Sequence, residues 1–406
     1  MRQKSKNWFF LFLGNFLGVF NDNFLKHAIV FVSMSWALPR WLTTSQIIAA
    51  VSASLLIPYL LFSPLAGQLT KKYDNQKLFT LFKVLEIPVL LLAALAFYYQ
   101  WIFFAIFLVL IMGILTCLYS PAKYSLIREI SKSEENAFGS GMLEAMAFLG
   151  ILLATIAASF LSDHYQFKIL IFTFLGVGIL GLISAYSINV DKIIKEEKKR
   201  SQNGFIAFIK NNWEVAKNHR LIRQAIIGYA IFWSIAGLLQ MNLIIHSKNV
   251  FNCSNSMIGI IMGIAAIGII IGCSLAARII KKKFYIISIF SSTLLISLLL
   301  IAIIYGNLNI SLFSTAIFFI AFAGGFFQVP CLAMIQNINI GNKLGDIMAF
   351  LNFITFLFIL IFTLLFSIIT KLSDDNSFAV FALMLILSLG VVFYILFYLF
   401  RRKIYS

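Results

Sequence analysis

The sequence predicts an all-α integral membrane protein: twelve transmembrane helices in two six-helix bundles, with both termini cytoplasmic. Three observations carry that expectation. Hydrophobic residues supply 61% of the 406-residue chain and charged residues only 12%, with a mean hydropathy of +0.96. A soluble domain cannot hide that much apolar surface. The apolar residues gather into runs of the length that a bilayer core demands, about 20 helical residues. The basic residues lie almost entirely on one side of those runs.

The first bundle is read from segments 8–36, 46–69, 78–99, 101–122, 137–161 and 169–188, which lie in residues 1–188. The second is read from 221–245, 257–277, 284–305, 310–334, 347–370 and 378–400, in residues 221–406. The runs are continuous rather than alternating, so they read as helices and not as barrel strands. The first run follows basic residues, as a signal peptide would. It is too long, too polar within and without a small-residue cleavage site, so it reads as a retained helix.

With the N-terminus in the cytoplasm, 26 of the 32 Lys and Arg fall in inner segments and 4 (Arg40, Lys168, Lys248, Lys371) in outer loops. Lys26 and Lys83 remain within helices. That asymmetry fixes the orientation. It also accounts for the net charge of +17 as topology, so no nucleic-acid partner is implied. The long hydrophilic stretch 189–220 reads as a cytoplasmic linker. Within it Phe205, Phe208, Ile209, Trp213 and Ala216 recur at helical spacing opposite Lys210, Asn211 and Lys217. That pattern predicts an amphipathic helix lying on the inner membrane surface. A faint repeat relates the halves: GQLTKKYDNQK at 67–77 and GCSLAARIIKKK at 272–283 each pair a late Gly with a basic turn. Parallel halves of this kind are a transporter plan with the site between them.

The polarity inside the first run is unusual. In GNFLGVFNDNFLK (residues 14–26), a wheel of 100° per residue puts Asn15, Gly18, Asp22 and Lys26 on one narrow stripe. Asp22 and Lys26 form an i,i+4 pair with the acid nearer the N-terminus. Asp22 lies about 21 Å of helical rise beyond Trp8, near mid-bilayer. A charge there costs at least about 2.5–3.5 kcal/mol on insertion scales, so the stripe faces the protein interior or a wet cavity. Two readings stay open: a structural pair beside a Gly14/Gly18 packing face, or a cavity lining in which Lys26 holds an anionic group and Asp22 an ammonium or a coupling cation. Asn15, Asp22, Asn23 and Lys26 are the candidates, with Asn21 and Asn23 flanking the stripe. Gln240, in GLLQMN of the seventh run, joins them.

Further charges read as an inner gate. Lys83 and Glu86 are spaced i,i+3 in the third run, close enough to the inner surface for Lys83 to snorkel. The fourth run ends in SPAKYSLIREI (120–130), where Pro121 bends the exit and Lys123 stands at the mouth. Glu144 lies about two turns into the fifth run and is a partner for Lys123. Lys343 and Asp346 begin the eleventh. For Lys83–Glu86 the alternative is structural pairing, and for Lys123 it is an inside-positive charge without further role. Gly324-Gly325 and Pro330 in the tenth run read as packing or a kink. The Cys (117, 253, 273, 331) form no CxxC pair, and the His have no metal-like spacing, so neither metal nor other cofactor is expected.

The stretch 67–77 resembles the motif between helices two and three of the major facilitator superfamily; Lys71 and Asp74 stand where that motif has Asp and Gly. At Phe20-Asn21-Asp22-Asn23 followed by Lys26 the chain is similar to the lysophospholipid transporter family within that superfamily. The likeness continues through FSPLAGQLTKKYD, SPAKYSL and the Glu144 helix, and more weakly through 232–242 and 268–278. Gln240 resembles the members fused to an acyltransferase, although this chain lacks that enzyme. The resemblance implies a major facilitator fold and a carrier, not an enzyme. It implies movement of lysophospholipids such as lysophosphatidylethanolamine to the cytoplasmic leaflet of a bacterial inner membrane, where a partner acyltransferase reacylates them. Coupling to H⁺, to Na⁺ or to neither stays open. The rival transport reading is an exporter of another amphipathic or anionic molecule. A membrane acyltransferase fits poorly, because the residues five after each His are Val32, Ile169, Gln224 and Phe251 rather than Asp.

Overall fold

The computed structural model describes residues 2–39, 41–131, 136–190, 205–337 and 344–404. Arg40, Lys343 and the 191–204 part of the linker, all named above, lie outside them. The helices are α1 Arg2–Val32, α2 Thr44–Lys72, α3 Asn75–Tyr98, α4 Ile102–Ser131, α5 Asn136–Asp163, α6 Phe167–Ser187, α7 Phe205–Asn218, α8 Arg220–Asn249, α9 Asn255–Ile279, α10 Tyr285–Tyr305, α11 Ile310–Gln336, α12 Leu344–Leu372 and α13 Ser377–Ile404. Eleven of them, α2–α6 and α8–α13, are long and apolar enough to cross a membrane. The remaining long helix, α1, has 31 residues, about 46 Å of rise. It reaches the expected twelfth span by length and not by hydropathy, because its polar stripe and basic first turns dilute the apolar content.

Local chemistry sets the helix ends. Thr43 and Gln46 form a capping box at α2, Asp74 accepts the Lys77 N–H at α3 (3.1 Å) and Asn309 the Leu312 N–H at α11 (2.9 Å). The short turns after α3, α8, α10 and α12 close through left-handed backbone at Gln100, Asn252, Asn307, Asp374 and Asp375. Asn and Asp adopt that conformation more readily than most residues. α4 continues through Pro121 to Ser131, so the run expected as its exit is still helical.

By internal contacts the chain divides into two units, 1–201 with 254–259, and 202–253 with 260–406. In the first unit α1 packs against α2, α4, α5 and α6, while α3 packs on α4 and α6. In the second unit α8 packs against α11, α12 and α13, and α10 against α11 and α13. α7 forms where the amphipathic pattern predicts, but part of its apolar face is spent on protein. Ala216 joins a core with Ile222, Ile226, Ile335, Ile347 and Phe350 of the second unit, against which Phe208 and Ile209 pack. Phe205 meets Phe353 edge-on, and Ile206 and Trp213 stay exposed.

Within the second unit α9 and α11 meet backbone to backbone. A Cβ at Gly272 would stand 2.9 Å from the carbonyl carbon of Phe322, and one at Gly325 would stand 2.9 Å from the Cα of Gly272. Gly324-Gly325 is thus a packing feature, since small residues let membrane helices approach. Higher in α8, buried His246 shares a hydrogen bond with Ser377 (2.8 Å) inside a ring of Phe251, Phe313, Phe378 and Phe381.

Candidate functional site

The polar stripe of α1 meets a matching stripe on α4. Thr116, Tyr119 and Lys123 are spaced i, i+3, i+7, which puts them on one helix face. The two helices run antiparallel, and their polar positions pair as rungs. Near the inner end, Lys123 Nζ donates to Asn15 Oδ1 at 2.9 Å, and Asn15 Nδ2 donates to the Leu143 carbonyl of α5 at 2.8 Å. In the middle, Gly18 leaves space that the Lys83 ammonium and the Tyr119 hydroxyl fill; a Cβ at Gly18 would stand 2.8 Å from Tyr119 Oη and nearer still to Lys83 Nζ. Farther out, Thr116 Oγ1 donates to Asp22 Oδ2 at 2.9 Å. Each step forward on α1 is matched by a step back on α4.

α3 supplies a buried ion pair to the middle rung. Lys83 Nζ lies 2.7 and 2.8 Å from the two Glu86 carboxylate oxygens, 3.4 Å from Tyr119 Oη and 4.9 Å from the centre of the Tyr119 ring. Both residues are 1% exposed. Removing two charges from water is costly, and only tight geometry with further hydrogen bonds offsets it. Bidentate contact and the tyrosine face meet that requirement. The charges acting on Asp22 are those of Glu86, Lys83 and Lys123, so three helices contribute to one interior electrostatic cluster. Asp22 Oδ1 and both side-chain polar atoms of Asn21 have no hydrogen-bond partner among the described residues. Phe16, Phe20 and Phe24 form an aromatic ladder along α1, with ring centres 6.2 and 5.6 Å apart.

The model of the Major Facilitator Superfamily matches residues 10–363. The chain belongs to that superfamily. Its members are transporters rather than enzymes, and the fold agrees. The chain is similar to the nucleoside transporter NupG (D323A mutant), with a TM-score of 0.75, 13% identity, and coverage of 96% of this chain and 99% of that one. It is also similar to a D-xylose-proton symporter, with a TM-score of 0.73, 13% identity, and coverage of 97% and 96%. Among curated relatives, the lysophospholipid transporter LplT of Klebsiella pneumoniae is 23% identical over 350 residues, 84% of each chain. That of Photorhabdus laumondii is 24% identical over 275 residues, 67% of this chain and 65% of that protein. The expected resemblance to lysophospholipid transporters of the major facilitator type is therefore present across most of the sequence, at modest identity.

Within this major facilitator chain, several expected partners change. Asp22 and Lys26 are both buried, but the hydrogen bond to Asp22 comes from Thr116 across the helix interface. Lys83 does not snorkel; its ammonium turns inward under Gly18 and is sealed by Glu86 and Tyr119. Lys123 and Glu144 are linked through Tyr124 rather than directly. The Lys123 ammonium lies 5.6 Å from the Tyr124 ring centre, and the Tyr124 hydroxyl donates to Glu144, which is itself exposed. Asn23 donates to the Val19 carbonyl of its own helix (2.9 Å). Gln240 is half-buried on α8, and Asp346 is exposed in the first turn of α12; both belong to the second unit. Sequence reasoning missed Thr116 and Tyr119. The signal was present in their spacing to Lys123, but a hydroxyl in an apolar helix gives little contrast until its partner helix is known.

Proposed function

We propose that this transporter moves lysophospholipids, such as lysophosphatidylethanolamine, to the cytoplasmic leaflet of a bacterial inner membrane by alternating access, for reacylation by a separate acyltransferase. The buried charged side chains of the first unit carry the reading. Among the described residues of the first unit, the buried Lys, Asp and Glu side chains are Lys26, Lys83 and Lys123 against Asp22 and Glu86. With all five ionised, the set has one net positive charge, which suits the single negative charge of a phosphodiester. The uncommitted oxygen of Asp22 suits the ammonium of a zwitterionic headgroup. The half-buried Phe16–Phe20 part of the α1 ladder offers apolar contact to one acyl chain. The names of the curated relatives support the same substrate class.

In this reading Asn15, Asp22, Asn23 and Lys26 hold the headgroup, with Gln240 a further candidate for substrate binding or coupling. Lys83, Glu86, Lys123, Glu144 and Asp346 act in the inner gate, with Tyr124 as the link between Lys123 and Glu144. Asp22 is the acceptor for H⁺ or Na⁺ if either drives the cycle. The test is flux of labelled lysophosphatidylethanolamine into proteoliposomes with H⁺ and Na⁺ gradients imposed in turn. Asp22→Ala and Lys26→Ala are expected to abolish flux while the protein still inserts. Normal flux in both variants would sink the proposal. Dye efflux by the wild type without lysolipid flux would favour an exporter of other amphipathic molecules.

A further inference from the structure

The second unit contains a cavity of about 540 Å³ among α8, α10, α11 and α13. It lies toward the first turns of α8 and α10 and the second half of α13, the inner end by the charge asymmetry. Its lining is aliphatic and aromatic: Ile231, Ile289, Phe327, Met334, Leu387 and their neighbours. Several lining residues are exposed. Ile227, Ile386 and Tyr394 are 40%, 67% and 49% accessible, and a Cβ at Gly390 would meet nothing within 4 Å. Ile386, Gly390 and Tyr394 follow i, i+4, i+8 along α13, so one helix face borders the opening. In a membrane-embedded chain an opening edged by such residues gives onto lipid.

The mouth is polar and basic. Gln224 Nε2 donates to Tyr394 Oη at 2.7 Å. Arg223 stands in the lining as its charged group, and the lining contains no carboxylate. The volume equals about eighteen water-sized groups at ~30 Å³ each. A methylene is of similar size, so the space fits one acyl chain and not two. An apolar recess with a few convergent polar groups is the general form of a ligand site, and basic residues at the inner surface attract anionic headgroups.

We infer that this cavity is a resident lipid site: one acyl chain of an anionic diacyl phospholipid from the cytoplasmic leaflet enters the recess, and its phosphate lies on Arg223. The second chain stays in the bilayer. The surrounding membrane supplies diacyl lipid in far greater amount than any single-chain lipid, which decides between the two sources. The site stands independently of what the first unit carries.

The test is native mass spectrometry of the purified full-length protein exchanged into mixed phosphatidylglycerol and phosphatidylcholine. The wild type is expected to retain one phosphatidylglycerol in preference to phosphatidylcholine. Gly390→Phe fills the recess and is expected to lose that lipid at least tenfold. Arg223→Gln keeps the recess and is expected to lose about fivefold of the headgroup preference. Gly390→Leu serves as the smaller filler, and helicity and melting temperature check folding in each variant. Retention of the same lipid with the same preference in both Gly390→Leu and Arg223→Gln overturns the assignment. So does displacement of the bound lipid by equimolar lysophosphatidylglycerol, which would make the occupant single-chained.

Discussion

The Lys83–Glu86 pair separates a structural from a functional role most cleanly. Its atoms lie at 2.7 and 2.8 Å, both residues are 1% exposed, and the ammonium also faces Tyr119. Glu86→Leu leaves a buried cation uncompensated, and Lys83→Met leaves a buried carboxylate. Removing one partner of such a pair costs about 3–5 kcal/mol, a factor of roughly 10² to 4 × 10³ in the folded-to-unfolded ratio. Removing both and filling the space with apolar side chains is often neutral. The double variant Lys83→Met/Glu86→Leu should therefore recover nearly all the stability that either single change loses. Apparent melting temperature in one detergent reads the stability, and lysolipid flux in proteoliposomes reads the role. Both single variants are expected to melt clearly below the wild type, and the double variant within a few degrees of it. If the pair belongs to the gate, flux in the double variant stays at least tenfold low despite restored stability. A double variant that melts as low as the singles, or a Lys83→Met protein that melts with the wild type, would refute the reasoning. Full flux in a stable double variant would remove the pair from the proposed gate.

Asp22→Asn keeps an acceptor for the Thr116 hydroxyl while removing the charge; flux is expected to drop more than tenfold with little change in melting temperature, whereas Thr116→Val is expected to cost about 1–3 kcal/mol by leaving a buried acceptor unmet. Gly272→Ala forces α9 from the Phe322 backbone and is expected to destabilise by about 1–3 kcal/mol, read as reduced melting temperature and yield. Tyr124→Phe removes the hydroxyl that bridges to Glu144 while keeping the ring under Lys123; transport is expected to change while melting stays near wild type, measured by flux at matched protein per liposome.

Much of this was legible in the chain itself. Hydropathy marks the helical membrane class, and the asymmetry of Lys and Arg sets the expected orientation, without any partner information, because both properties act along the sequence. The stripe Asn15–Gly18–Asp22–Lys26 is equally local, since helical periodicity alone puts those residues on one face. What periodicity does not supply is which residue on another helix answers each position. Asp22 has an obvious neighbour four residues on, but its acceptor bond is filled by Thr116, 94 residues away. Lys83 has enough reach to snorkel, and it turns inward because Gly18 and Tyr119 leave an ammonium-sized space beside Glu86. The amphipathic α7 was legible as a helix, whereas the protein surface that takes Ala216 and Ile209 depends on α8 and α12 being assembled. Even the span count follows this division: the helix that escapes a hydropathy window is the one whose polarity is spent on tertiary contacts.

The ladder between α1 and α4 has a consequence for how the protein is made. α1 leaves the ribosome before α4, carrying Asn15, Asp22 and Lys26, and each polar group costs free energy in lipid until it is partnered. Thr116 and Lys123 follow 94 and 108 residues behind the α1 residues they bond. The earlier helix thus depends on one made later for its comfort in the bilayer. Its early hold on the membrane rests on the basic anchor Arg2, Lys4 and Lys6 and on its Phe-rich flanks. Biogenesis, like transport, has to keep a charged stripe sheltered while the rest of the bundle is still arriving.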